Sequence, residues 1–530
     1  MSELLHELPL QSAERAASAT ALVFRGQALD YGQLIDAQRR FASGLLALGL
    51  ERHDRVAVWL PKRFETVTAL FGTAQAGGVF VPINPLLKPA QVVHILEDSG
   101  ARILVTAADR RTQLDTALQG CRQLRTIIEV DASEDAASLP RGIERRSWSE
   151  VTADAGACVG HRIIDADMAA LLYTSGSTGR PKGVVLSHRN MVAGAHSVAG
   201  YLENTSQDRL LAALPFSFDY GFSQLSTAFL RGASVVLMDY LLPRDILIQA
   251  ERERVTGLAG VPPLWIQLAE LTWPDAVATH LRYITNSGGA MPGATLSKLR
   301  QRLPRTRVYL MYGLTEAFRS TYLPPEEVDR RPDSIGKAIP NAEILVLRPD
   351  GNPSAPDEPG ELVHRGALVA LGYWNDPAKT AERFRPIPPA AGGLVLPELA
   401  VWSGDTVRRD ADGYLYFIGR RDEMIKTSGY RVSPTEVEEV AYATGLVGDV
   451  VAVGVPHAVL GQAVVLVASA LEAQPDITER LLSELRKRLP NFMLPAHVEW
   501  RESLPRNPNG KFDRPLLARE LAHLFQETAT

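Results

Sequence analysis

Cysteine is nearly absent: Cys121 and Cys158 are the two in 530 residues, so neither a disulfide framework nor a cysteine zinc site is expected. No stretch approaches the roughly 18 uninterrupted apolar residues of a transmembrane helix. Met1 to Ala21 carries Glu3, Glu7 and Glu14 and has no apolar run of signal-peptide length, which points to a cytoplasmic protein. An excess of positive charge is also missing. The formal net charge is −5 and the short basic pair Arg110–Arg111 follows Asp109, so no nucleic-acid partner is expected. A G-x-S-x-G elbow and an H-R-D segment do not occur, which disfavours an α/β-hydrolase and a protein kinase. There is no internal repeat.

What is present is an ordinary globular balance, 45% hydrophobic and 22% charged, in a chain too long for one hydrophobic core. Leu34, Ala37, Phe41, Leu45 and Leu48 recur at helical spacing, as do Phe64, Val67, Leu70, Phe71 and Ala74. Between and after them, Val56 to Leu60, Val79 to Pro82 and Ile103 to Thr106 read as buried strands. This alternation predicts α/β layers with a largely parallel sheet. From about residue 323 to 400, frequent prolines punctuate short β-like runs such as Glu343 to Leu347, which predicts a β-rich subdomain, with 385–393 as a loop insertion. Further on, Ser433, Pro434 and Glu436 predict a capping box. Asp449 to Val455 and Gln462 to Ser469 predict strands, and Ile477 to Leu489 a helix.

The chemistry-bearing segment is Tyr173 to His188, YTSGSTGRPKGVVLSH. Thr174, Ser175, Ser177 and Thr178 supply hydroxyls. Gly176 and Gly179 let the backbone approach a ligand, and Lys182 adds a cation. These are the groups a polyphosphate needs, although the Walker A spacing is absent. An apolar strand, Ala169 to Leu172, leads into the loop.

This segment resembles the signature loop of the adenylate-forming superfamily, which includes acyl-CoA synthetases, adenylation domains of peptide synthetases and firefly luciferase. Other motifs follow in the expected order, so the resemblance covers nearly the whole chain. It implies that Tyr312, Gly313, Leu314, Thr315 and Glu316 form the motif whose aromatic ring stacks on adenine, whose threonine touches phosphate and whose glutamate holds Mg²⁺, a hard cation that takes carboxylate and phosphate oxygens. Asn286, Ser287, Gly288, Gly289 and Ala290 resemble the turn beside adenine and the acyl pocket. Ser403, Gly404 and Asp405 resemble the segment whose aspartate accepts from the ribose hydroxyls. Arg420 would reach ribose and phosphate, and Asp422 would be the interdomain hinge. Gly429 and Tyr430 resemble the pantetheine-tunnel loop. Asn507 to Lys511 resembles the exposed turn whose lysine swings in to meet the attacking carboxylate and the α-phosphate, which gives Lys511 the leading catalytic role beside Thr315, Glu316 and Lys182. Losing one such preorganised donor typically costs about 100- to 1000-fold.

The implied protein is an AMP-forming acid–thiol ligase. It would have a large N-terminal α/β domain over 1–421, with its β-rich part over 323–421, and a small mobile α+β domain over 422–530. ATP and Mg²⁺ are implied, with CoA or the phosphopantetheine of a carrier protein as acceptor, in a monomer or homodimer. A carrier-loading enzyme and a non-catalytic nucleotide-binding module are the alternatives. The sequence further resembles the acyl-CoA ligase-like proteins found with bacterial exosortase systems. The acyl pocket would be drawn from Phe218, Asp219, Tyr220, Phe222, Val261 and Gly289, with Phe216, Leu264 and Trp265 either joining it or filling core. Phe218–Asp219 is similar to the F-D-x-S of amino-acid-adenylating domains, whose aspartate pairs the substrate ammonium, but Gly221 stands where serine would be. Asp219 therefore either meets a cationic substrate group or caps a helix or faces solvent.

Overall fold

The structure is a computed structural model describing residues 3–114, 117–131, 139–153, 160–174, 181–387, 398–420, 423–427, 430–457, 460–472, 475–489, 491–508 and 510–525. The helices and strands expected near the N-terminus form as Tyr31–Ala47, Phe64–Ala76, Arg55–Trp59, Val79–Pro82 and Ile103–Thr106. Among the described residues no helix is long and apolar enough to cross a membrane.

Three sheets organise the chain. The first has a parallel centre in which Arg209–Ala212, Ser234–Leu237, Gly257–Gly260, Tyr283–Asn286 and Arg307–Tyr312 lie side by side. It then turns antiparallel at Thr321–Leu323 and runs on through Ser334–Ala338 into the proline-punctuated part, Ala342–Leu347, Gly360–Gly366, Leu399–Arg409 and Leu415–Arg420. The expected β-rich part is antiparallel, because short proline-flanked strands close by hairpins rather than helical crossovers, while the largely parallel expectation, made for the strands at 56–60, 79–82 and 103–106, holds in the second sheet. The second sheet is parallel from Val79–Pro82 through Glu144–Ser147 and carries the antiparallel pair Met168–Thr174 and Lys182–Ser187 on its other side. The third is the small sheet of the C-terminal part, built on the long hairpin of Val447–His457 with Gly461–Ala470.

One apolar core joins the two large sheets. Phe222 stacks on Phe80 at 5.4 Å and on Phe71 at 5.8 Å between ring centres, and all three are fully buried. The C-terminal part has its own cores, one around Val437, Leu466 and Leu481 and one around Val453 and Leu517.

Two sequence expectations are corrected. Ser433 is the residue before the helix Pro434–Tyr442, but its hydroxyl meets Thr435 Oγ1 at 2.8 Å and makes no cap to the helix backbone, so the capping box is not formed. The helix beginning at Ile477 ends at Arg486 rather than Leu489. The loop expected over 385–393 begins with a short strand, Phe384–Pro386, and most of its length lies outside the described residues.

Burial sets an acid-side limit on the fold. His188 opens the helix His188–Tyr201 at 1% exposure, and its Nδ1 accepts from Leu5 N at 3.1 Å. Burial pushes it down to about 3, and pushes His6 and His364 down to about 4. Each is neutral when folded and titrates near its ordinary value when unfolded. Above the unfolded value these groups leave stability unchanged. As pH falls below it, the unfolded chain takes protons that the folded one refuses, and stability drops by about 1.4 kcal/mol per pH unit for each histidine. Urea midpoints between pH 6.5 and 5 are expected to fall, and His188→Asn, which keeps an acceptor for Leu5 N, to flatten the slope by one proton. An unchanged slope would show that His188 is not the buried neutral group.

Candidate active site

The parallel strands of the first sheet deliver their carboxyl ends to one place, as open α/β sheets do. Tyr283–Asn286 runs into the turn 287–290, and Arg307–Tyr312 runs into 313–316. Asn286 Nδ2 donates to Gly289 O at 3.0 Å, which closes the turn and leaves Gly289 and Ala290 exposed. Gly288 has φ +83, and a Cβ there would lie 2.8 Å from Lys511 Cε. Glycine at 288 is therefore needed twice, for the backbone conformation and for the space the lysine takes.

Lys511 sits at the end of a tight turn in which Gly510 N donates to Asn507 O and Asn507 N to Lys511 O, at 2.9 and 2.7 Å. The expected exposed presentation is corrected: the side chain is half-buried, with Nζ 5.5 Å from the centre of the Phe218 ring. Burial lowers its pKa below the ordinary lysine value, with nearby Arg420 acting the same way and Asp219 and Asp405 opposing. Asn84 Nδ2 donates to Pro508 O at 2.6 Å and Gly293 N to Glu439 Oε1 at 2.9 Å, so the C-terminal part is held against the large sheets where this turn enters.

Asp219 begins the helix Asp219–Arg231 and is 3% exposed, so it does not face solvent. Its Oδ1 accepts from Thr315 Oγ1 at 3.1 Å and its Oδ2 stands 3.9 Å from Arg319 Nη2. Burial raises its pKa, against the pull of Arg319 and Lys511. Gly221 is explained by packing: a Cβ there would lie 2.0 Å from Pro215 O, so serine has no room. Val261 reaches Gly288 and Gly510, with Cγ atoms 3.5 and 3.7 Å from where their Cβ atoms would be. Tyr220 donates to Thr285 O at 2.8 Å and Trp265 Nε1 to the same oxygen at 3.2 Å. Phe222 is corrected, since its fully buried ring belongs to the aromatic stack of the core.

Asp405 is 5% exposed and accepts twice, from Tyr312 OH at 2.5 Å and from Arg420 Nε at 3.0 Å. Gly313 lies against Arg319, whose Cα would be 3.2 Å from a Cβ at that position. Glu316 Oε1 accepts from Tyr373 OH at 2.6 Å, and Lys182 Nζ lies 5.9 Å from the centre of the same tyrosine ring. Sheet register explains this cluster. Thr174 pairs with Lys182, and Tyr373 pairs with Val184 on the next strand, so alternation puts Lys182 and Tyr373 on one face. Tyr173 and Trp374 go to the other, where both donate to Asp98, at 2.6 and 2.9 Å.

Thr174 and Lys182 are thus placed, while Ser175, Gly176, Ser177, Thr178 and Gly179 lie outside the described residues, as do Asp422 and Gly429. Tyr430 is described only through the backbone of the strand Tyr430–Val432. Two residues of the site were missed in the sequence, Tyr373 and Arg319. The second follows the 312–316 motif by three positions and could have been weighed with it; the first has no local signal and is brought in by strand pairing alone.

Among the described residues no group of three or more His, Cys, Asp or Glu could hold a metal ion by itself. A single carboxylate whose orientation is fixed by Tyr373 suits Mg²⁺, which keeps water and phosphate oxygens for its other positions. A cavity of about 440 Å³, lined in part by Tyr201, Arg305, Arg307 and Tyr309, opens at the opposite end of the strand Arg307–Tyr312 and has no part in this cluster.

The family described as AMP-binding enzyme matches residues 10–374, and the AMP-binding enzyme C-terminal domain matches 436–511. A feruloyl-CoA synthase of Amycolatopsis sp is 33% identical over 95% of this chain and 96% of its own length. A linear gramicidin synthase of Brevibacillus parabrevis is 32% identical over 97% of this chain, which spans 6% of that much longer protein. The solved O-succinylbenzoate coenzyme A synthetase of Bacillus subtilis, in complex with ATP and magnesium ion, is 26% identical with a TM-score of 0.79, covering 96% of this chain and 98% of that one.

The seat of Lys511 can be tested without any assay of activity. Gly288→Ala places a methyl where Lys511 Cε lies, so the side chain is expected to leave. Labelling of Lys511 by an amine-reactive reagent, read by mass spectrometry, should rise several-fold relative to exposed Lys298. Equal labelling in both proteins would show that position 288 does not control the seat.

Proposed function

The chain belongs to the AMP-binding enzyme family and is an ATP-dependent, AMP-forming ligase that joins a carboxylic acid to CoA; from that premise we propose how its own residues divide the work. The carrying observation is the convergence of Lys511, from the far end of the chain, on the corner formed by Gly288, Phe218 and Asp219.

In the first half-reaction a carboxylate oxygen of the acid forms a bond to the α-phosphorus of ATP, the bond to the bridging oxygen breaks, and pyrophosphate leaves. Two anions must meet, so orientation and charge neutralisation set the rate. Lys511 supplies a positive charge already desolvated by its seat, and desolvation strengthens its attraction to both anions. Bound Mg²⁺ would supply charge neutralisation at the phosphates. Glu316 would hold it, with Tyr373 fixing the carboxylate. Lys182, Thr174 and the loop after it attend the departing phosphates. Asp405, fixed by Tyr312 and Arg420, takes the ribose hydroxyls. Gly288, Gly289, Ala290 and the Tyr312 ring flank the adenine and the acyl group. In the second half-reaction the CoA thiol gives up its proton to solvent, its sulfur bonds to the acyl carbon, and AMP leaves with the electron pair of the broken carbon–oxygen bond.

For that second step Lys511 must withdraw, and the C-terminal part from 422 onwards would turn about Asp422, bringing Gly429 and Tyr430 to the thiol. The similarity to a linear gramicidin synthase favours a second reading of the acceptor, a phosphopantetheine on a carrier protein, and assay of CoA against a loaded carrier separates the two. The expected location is the cytoplasm.

Lys511→Ala is expected to lower ATP–pyrophosphate exchange about 100- to 1000-fold while thioester formation from supplied acyl-adenylate survives; Asp422→Pro is expected to do the reverse. Equal loss of both half-reactions in either variant rejects the assigned role. Tyr373→Phe should raise the Mg²⁺ concentration for half-maximal exchange by about 10-fold, as loss of a partner to a metal-holding group does, and an unmoved Mg²⁺ dependence would remove Glu316 from that role.

A further inference from the structure

Arg319 is a cation buried to 1% exposure with hydrogen bonds left unmade. Its guanidinium carbon lies 4.7 Å from the centre of the Tyr220 ring, and Nη1 reaches Ser287 Oγ at 3.4 Å, a long contact. Nη2 is 3.9 Å from Asp219 Oδ2, near enough for attraction and too far for a hydrogen bond. Among the described residues Nε and Nη2 have no hydrogen-bond partner. Unmade bonds on a buried charged group are expensive, and this group is reached through an unusual backbone. Phe318, just before, has φ +53 with its ring fully buried, a conformation that a bulky residue adopts only when its surroundings impose it. Strain and unmade bonds in one place point to a ligand rather than to packing.

We propose that Arg319 and Asp219 together read a hydroxyl group on the acid, at carbon 2 or 3. The guanidinium Nη2, without a hydrogen-bond partner among the described residues, stands beside the Asp219 carboxylate. A hydroxyl can accept from the first and donate to the second at once. An ammonium can only donate, and would meet the arginine's like charge, so the pairing of Asp219 with a cationic substrate group gives way. A second carboxylate can only accept, and would meet Asp219. The position near the carboxyl end follows from Lys511, whose charge is felt by Asp219 and which meets the reacting carboxylate; the inference thus rests on that reading of Lys511.

The test is ATP–pyrophosphate exchange by the full chain over matched sets of four to ten carbons, aliphatic and phenyl-substituted. Each set holds the unsubstituted acid, its 2- and 3-hydroxy forms and the corresponding amino acids. In at least one set a hydroxy acid should exceed its unsubstituted and amino partners by about 100-fold or more in kcat/KM, since a site built to bond a hydroxyl rejects analogues lacking it. Arg319→Met should remove that preference, so that the hydroxy and unsubstituted acids of the set are used within a few-fold of one another whatever the absolute rate. Arg319→Lys, which keeps the charge but not the planar fork, should lose most of it too and guards against a folding failure of the first variant. Equal use of hydroxy and unsubstituted acids throughout, or preference for an amino acid, overturns the inference and leaves the ligase standing. A uniform loss in both variants overturns it as well. No exchange with any acid overturns the ligase reading and this one with it.

Discussion

A buried corner holds one carboxylate between two cations, and the rest of the site depends on that balance. Asp219 feels the charges of Arg319, 3.9 Å away, and of Lys511, with Thr315 donating to it. A carboxylate at 3% exposure would be costly alone, and so would either cation. Together they tolerate burial, and they do so across three distant parts of the chain. Lys511 is thus retained by long-range charge and by the space that Gly288 leaves, not by a direct hydrogen bond to Asp219. Such a hold keeps a cation desolvated and oriented yet lets it go at modest expense.

The fold brings those parts together through its strand ends. Parallel strands stop at Asn286 and Tyr312 and hand the chain to turns on the same side of the sheet. The aromatic stack of Phe71, Phe80 and Phe222 ties the two large sheets behind them. That common core lets the cluster of Lys182, Tyr373 and Glu316 be built from both sheets: Lys182 comes from the second and Glu316 from the end of the first.

Much of this was legible in the chain itself. Apolar spacing located the early helices and strands, and the motifs at 173–188, 312–316 and 403–405 marked the groups that the structure gathers. Lys511 was legible as a residue but not as a half-buried one, since a Pro- and Gly-rich turn reads as exposed and the approach of residues 218 and 288 covers it only in the fold. Asp219 was open between substrate and solvent because its partner, Arg319, is far away in sequence. Phe222 alternates with aromatic neighbours on a segment near the site, and nothing in that pattern tells a core stack from a pocket wall. Tyr373 depends on register between strands remote in sequence, which no local spacing reveals.

The pairing of Thr174 with Lys182 has a consequence for how this enzyme can vary. Because side chains alternate across a strand, a one-residue slip of that pairing would turn Lys182 toward the side occupied by Tyr173 and Trp374. Its charge would then leave the side of Tyr373 and Glu316, though the sheet itself would still close. Thr174 and Lys182 are therefore held to one register, because only that register keeps the cation on the face of Tyr373.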